Sequence, residues 1–171
     1  METIVPAGKL KRVIASMIKA HPYEEVAYDV YPLENEGEKM GIGRIGTLPR
    51  PMTLEQLSSK VKSNLGLTGV KVAGNPETEI TKVAVVGGAG ASYISLAAFR
   101  GAQCLISGDI KYHEAQMALQ KNLTIIDAGH YETEIPVVPY LAAKITNALR
   151  SIKEDAEVMI STSQRTPFVF M

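Results

Sequence analysis

Apolar residues at Leu10, Val13, Ile14, Met17 and Ile18 recur at steps of three and four, which predicts a helix over Lys9–Ala20. Pro22 follows its expected end. Thr3–Pro6 before it and Val26–Leu33 after it are rich in β-branched and aromatic residues and read as strands. The opening is therefore a β-α-β unit, too small to bury a core alone. Asn35–Gly46 is charged and then glycine-rich, ending in Gly41-Ile42-Gly43-Arg44-Ile45-Gly46, and reads as a boundary. The predicted organisation is thus an appendage over residues 1–40 and a main domain over 41–171.

Beyond the boundary, Leu48–Met52 contains two prolines, and Thr53 with Gln56 has the spacing of a capping box opening a helix to about Asn64. Val70–Ala73 and Ile80–Val86 read as strands, with a turn at Gly74-Asn75-Pro76 between them. Ala91–Arg100, Tyr112–Gln120 and Pro139–Ile152 read as helices. Cys104–Ser107 and Leu123–Ile126 read as short buried strands, and Ala156–Ser161 as a last strand. Apolar strands alternating with helices of about ten residues predict an α/β fold with a largely parallel sheet flanked by helices.

Composition narrows the function classes. The chain of 171 residues has 18 basic and 18 acidic residues, so no basic excess points to nucleic acid, which is an unexpected partner. Cys104 is the single cysteine, which excludes an intrachain disulfide and fits a reducing compartment. The N-terminal stretch is too interrupted by Lys, Arg, Gly and His for a signal peptide. No apolar run approaches the roughly 20 residues that span a bilayer. The expectation is a soluble, cytoplasmic protein without membrane contact.

Ligands of parallel α/β sheets gather beyond the carboxyl ends of the strands, and three such ends carry unusual residues. The first is Gly87-Gly88-Ala89-Gly90-Ala91-Ser92. Its Gly87, Gly88, Gly90 and Ser92 form a candidate anion loop, although neither a dinucleotide fingerprint nor a Walker loop is complete. A tight turn with close packing is the alternative. The second is Ser107-Gly108-Asp109-Ile110-Lys111-Tyr112-His113, where Asp109 can cap the following helix and His113 can be structural or solvated. The third is Asp127-Ala128-Gly129-His130-Tyr131-Glu132-Thr133-Glu134. His130 and Glu134, four apart, can face one cation, and nitrogen with carboxylate oxygen suits zinc, iron or manganese. Prolines 136 and 139 place Glu134 at the first turn of a helix, with His130 ahead of it. The helix dipole also favours a glutamate there without any metal. His21-Pro22-Tyr23-Glu24-Glu25 has metal-like composition too, but reads better as a helix end followed by exposed acids.

In this order, His21-Pro22-Tyr23-Glu24-Glu25-Val26-Ala27-Tyr28-Asp29, Gly41–Gly46, Ser107–His113 and Asp127–Glu134 resemble the C-terminal portion of Nif-three-like proteins, which are known as GTP cyclohydrolase I type 2 homologues. The resemblance covers almost the whole chain. It implies two α/β lobes facing each other across a site for two divalent metals, a ferredoxin-like insert related in shape to the CutA and PII trimers, and a toroidal homohexamer. On this sequence, Thr3 to about Leu33 matches the last β-α-β of the insert, and Gly41 onward the second lobe. The metal ligands fall on His130 and Glu134. Asp109 and His113 lie in a matching motif nearby as candidate supporting or substrate-contacting groups, and Asp127 is a candidate to orient His130. The first lobe, with paired histidines and a further carboxylate, has no counterpart here, nor has the first half of the insert. A fragment or a shortened homologue is therefore expected, inactive by itself. Two functions follow: the half-site of a metal-dependent hydrolase for a nucleotide-like small molecule, or a non-catalytic assembly or regulatory module.

Overall fold

The computed structural model describes residues 2–35 and 41–168. The chain divides into two compact units, Met1–Lys39 and Met40–Met171.

In the first unit, a single 3-10 turn at Ala7–Lys9 leads into helix α1, Leu10–Ala20. Leu10, Val13, Ile14 and Met17 form its half-buried stripe, as the periodicity predicts. His21 leaves the helix in an extended conformation (φ −81°, ψ 140°), the conformation required of a residue before proline. Neither Thr3–Pro6 nor Val26–Leu33 is a strand. Extended backbone becomes a strand only when a neighbour takes up its N–H and C=O groups, and the described residues of this unit form no such ladder. The β-α-β reading is corrected to one helix between segments without regular secondary structure.

The second unit is an α/β domain built on a five-stranded sheet of order β1-β3-β4-β5-β2. Its strands are β1 (Gly43–Thr53), β2 (Lys71–Ala73), β3 (Glu79–Ala89), β4 (Cys104–Gly108) and β5 (Thr124–Asp127). β3, β4 and β5 are parallel, while β1 and β2 pair antiparallel at the two edges. The parallel character therefore belongs to the middle of the sheet. Residues 36–40 of the expected boundary lie outside the described residues, and its later part is strand β1 from Gly43 onward. Pro49 and Pro51 fall where the β1–β3 register slips between Thr47 and Met52. An edge strand tolerates prolines at such an irregularity because its outer N–H groups need no partner. Ala156–Ser161 is not a strand. The Tyr131 hydroxyl ties this C-terminal segment down further along by donating to the Gln164 carbonyl at 2.9 Å.

Side chains alternate across β4 and β5 and so feed two cores. Cys104, Ile106 and Ile126 pack on one face with Leu54, Leu57 and Val61 of α2 (Leu54–Leu65). Leu105 and Ile125 pack on the other with Ile94 and Ala97 of α3 (Ile94–Phe99) and Ala118 of α4 (Tyr112–Gln120). The Thr53–Gln56 capping box is present, with both reciprocal bonds at 3.1 and 3.2 Å. Two further helices follow β5, α5 (His130–Glu134) and α6 (Val137–Ser151). α6 buries none of its residues, leaving Val137, Tyr140, Leu141 and Ile145 exposed. No helix of the described residues is long and apolar enough to cross a membrane.

Cys104 is wholly buried, and burial pushes its thiol up to about 11. Because the thiolate is the reactive species, Cys104 is expected to resist iodoacetamide at pH 8 in the folded chain and to react fully in denaturant. Mass spectrometry of the alkylated protein measures this; rapid native labelling would mean that β4 is not held in the core.

Candidate functional site

The parallel strands β3, β4 and β5 bring Ala89, Gly108 and Asp127 to one edge of the sheet. The three sequence stretches singled out for chemistry therefore end in one place. How the chain continues from each end decides what meets there.

After β5, Gly129 takes a positive φ of 87° and starts the single-turn helix α5. His130 is the first residue of that turn rather than lying ahead of it, and Glu134 is its last. Four residues apart on a helix is one side-chain face, and His130 Nε2 stands 3.4 Å from Glu134 Oε2. The helix lies directly on the strand ends. A Cβ on Gly108 would come within 2.6 Å of the backbone of Gly129 and His130. At Gly88, where φ is 65°, a Cβ would run into the Glu134 carboxylate and come 3.2 Å from His130 Nε2.

That proximity explains the glycine-rich stretch. Gly87 and Gly88 belong to β3 rather than to a loop, and a Cβ on Gly87 would crowd the Thr133 carbonyl at 3.2 Å. The Gly88 N–H donates to Thr133 Oγ1 at 2.9 Å, and its carbonyl accepts from the buried Ser107 hydroxyl at 3.0 Å. Gly90 is buried where a Cβ would meet the Ser107 hydroxyl, and Ser92 is exposed in the 3-10 turn Ala91–Tyr93. The Gly88 N–H, bonded to Thr133, does not point at an open anion cradle. Gly87 and Gly88 allow α5 to approach the sheet, while Gly90 makes room for Ser107.

Asp109 follows β4 in the left-handed region, with φ 56°, a conformation aspartate tolerates better than most residues. It does not cap α4, whose N-cap is Lys111. Instead its Oδ2 lies 2.7 Å from His130 Nδ1. A proton shared there leaves the Nε2 lone pair facing Glu134. The hydrogen bond with Asp109 raises the His130 pKa above the usual imidazole value; desolvation opposes it, and the charges of Glu134 and Asp109 add to the rise. Asp127 takes a different place from the one expected. It is buried, and it accepts from the Gly129 N–H at 3.1 Å and from the Ile110 N–H at 3.1 Å. The group on the His130 ring is Asp109. His113 points elsewhere, its Nδ1 3.1 Å from Gln116 Oε1 on the exposed side of α4. His21 is likewise occupied locally, accepting from the Tyr23 N–H at 3.2 Å. Thr133, which accepts from Gly88 and donates to the Gly129 carbonyl at 2.8 Å, carries no signal in the sequence beyond its place between two expected ligands.

His130 and Glu134 fit one cation. Nitrogen and oxygen donors about 2.0–2.1 Å from a tetrahedral ion lie roughly 3.3 Å apart, close to the 3.4 Å separation here. Gly88 leaves the adjoining space free of a side chain. The set is incomplete, since no cluster of three or more His, Cys, Asp or Glu residues able to hold a metal occurs among the described residues. Both donors are about half exposed, at 48% and 56%, so further ligands have room to reach them.

The comparisons with known proteins agree with this arrangement of strands. The GTP cyclohydrolase 1 type 2 homologue of Halalkalibacterium halodurans is 44% identical over 171 residues, which is 100% of this chain and 46% of that protein. The homologue of the same name from Bacillus subtilis is 39% identical over the same 171 residues, again 46% of its length. The crystal structure of a Bacillus cereus protein related to NIF3 superposes with a TM-score of 0.90 at 40% identity, over 98% of this chain and 46% of that one. The chain thus spans about half the length of the relatives it matches. A family model described as Duf34/NIF3 (NGG1p interacting factor 3) matches residues 6–167, and the chain belongs to the DUF34/NIF3 family.

Proposed function

We propose that this chain carries one half of a dinuclear divalent-metal centre, for zinc, iron or manganese, in a protein that acts as a metal-dependent hydrolase when the centre is complete. The observation that carries the proposal is the convergence of His130 Nε2 and Glu134 Oε2 beside Gly88, with the other ring nitrogen held by Asp109. A divalent ion in such a site supplies Lewis acidity and lowers the pKa of a bound water. Within the chain, Glu134 contributes negative charge and an oxygen donor, and His130 contributes a neutral nitrogen donor. Asp109 fixes the tautomer and the plane of the ring. The names of the relatives point to a nucleotide-like substrate, and the site's exposure leaves room for one. The missing ligands would come from another chain or from the rest of a longer protein, with a homo-oligomer, as in the hexamer the resemblance implies, bringing the halves together.

A second reading is a non-catalytic assembly module. It is favoured by the apolar row Val137, Tyr140, Leu141 and Ile145, which α6 presents without burying any of it.

Metal analysis of the purified chain, beside its mass by light scattering, separates the two. About one zinc or manganese ion per chain, lost in His130→Ala and in Glu134→Gln, is the expected outcome of the first reading. An oligomer without metal in wild-type protein would support the second, and a metal-free monomer would sink both. Gly88→Ala, which places a methyl against both donors, is expected to remove the ion as well.

Asp109→Asn gives a separate test. It removes the charge that raises the His130 pKa, so the ring's titration midpoint in the metal-free chain is expected to fall toward the usual value near 6.5. The same change is expected to weaken metal binding about 10- to 100-fold, as is usual for groups that orient a ligating histidine. An unchanged midpoint by NMR titration would refute the Asp109–His130 contact.

A further inference from the structure

We infer that Lys71 is a positioning residue for the half-site: it holds the Asp127 carboxylate in the place from which that group fastens both loops that carry the site. The inference rests on the reading of His130 and Glu134 as metal ligands.

The edge strand β2 is only three residues long, and it pairs with β5 so that Lys71 stands directly opposite Asp127. Residues directly opposite in an antiparallel pair share a face, and Lys71 Nζ reaches Asp127 Oδ2 at 2.6 Å. The two ends of this ion pair differ in environment: Lys71 is 70% exposed and Asp127 4%. The lysine therefore brings a solvent-side cation to a buried carboxylate. Among the described residues it is the cation paired with Asp127.

What Asp127 does with its other lone pairs gives the contact its consequence. Oδ1 accepts from the N–H of Gly129, the residue before His130, and Oδ2 accepts from the N–H of Ile110, the residue after Asp109. One carboxylate thus ties the chain on both sides of the 2.7 Å His130–Asp109 contact. Packing holds part of this region, with Ile110 and Ala128 buried in the two cores. A cavity of about 310 Å³, lined by Lys71, Ile110, Lys111 and Asp127 among others, lies beside it. Where that space adjoins Ile110 and Asp127, the hydrogen bonds of the carboxylate fix how the Ile110 and Gly129 backbones sit. A carboxylate free to swing would release two N–H groups and, with them, the relative placement of Asp109 and His130. The opposing expectation is that a half-exposed ion pair is worth little and its loss changes nothing.

The test uses the metal-free chain, so that its outcome is independent of whether metal binds, which wild-type metal analysis decides. Lys71→Met keeps the stem and removes the charge; Lys71→Arg keeps the charge; Lys111→Met removes a neighbouring lysine of the same cavity wall. Two signals are read by NMR. One is the set of ring nitrogen and proton shifts of His130, with His21 and His113 as internal references. The other is amide exchange at Ile110 and Gly129. Lys71→Met is expected to move the His130 ring signals away from those of the Asp109-bonded ring and to speed exchange at both amides at least tenfold. His21, His113 and the core amides of Leu105 and Ile125 are expected to stay as they are. Lys71→Arg is expected to restore the wild-type signals, and Lys111→Met to leave them unchanged. Wild-type His130 shifts and exchange in Lys71→Met would overturn the inference. So would a loss that arginine does not rescue, or one that extends to Leu105 and Ile125, since each would trace to something other than the charge at Asp127.

Discussion

Backbone-to-backbone approach of a single helical turn onto the ends of two parallel strands is the constraint on which the candidate site depends. Helix α5 can lie against β3 and β4 only because positions 88 and 108 have no side chain; at both, the space a Cβ would take is already filled by α5 itself. Gly87 and Gly88, which look like part of an anion-binding loop in the sequence, are therefore docking positions. Ser107 and Thr133 complete the joint by using both the carbonyl and the N–H of Gly88. A helix of five residues has little stability of its own, so its orientation is set by this joint.

Upon that joint, electrostatics set the chemistry. A histidine beside a glutamate at helical spacing is a common surface pair and usually contributes little. What distinguishes His130 is Asp109, held at φ 56° just beyond the end of β4, on the opposite side of the ring from Glu134. One nitrogen is committed to a carboxylate and the other is turned toward a second carboxylate. The buried Asp127 underlies this arrangement without touching the ring, because its two oxygens join the two loops through their backbones. Three acidic residues near one imidazole thus do three different things: one faces the same space as the ring, one orients it, and one fixes the chain on either side.

Much of this was legible beforehand because local rules govern it. The stripe of α1, the capping box of α2, the buried runs of β4 and β5, and the helix at Tyr112–Gln120 all follow from periodicity and composition. Local rules failed where pairing decided the outcome. Thr3–Pro6, Val26–Leu33 and Ala156–Ser161 have strand-like composition but no ladder, whereas Gly43–Thr53, dense in glycine and proline, is a strand because β3 lies alongside it. At the site, the four-residue spacing of His130 and Glu134 was visible. That Asp109 rather than Asp127 meets the ring was not, since both were candidates to support the site and both stand at the end of a parallel strand.

By itself the sequence determined the α/β class, the order of the central elements, the membership of a family through its ordered motifs, and the pair of residues suited to a cation. Those properties depend on residue types at short spacing. Tertiary structure decided which carboxylate meets the imidazole, why the glycines are there, and that Lys71 lies opposite Asp127. Each of these is a contact between residues 21 to 56 positions apart in the chain, brought together by strand order and register, which no short-range pattern encodes.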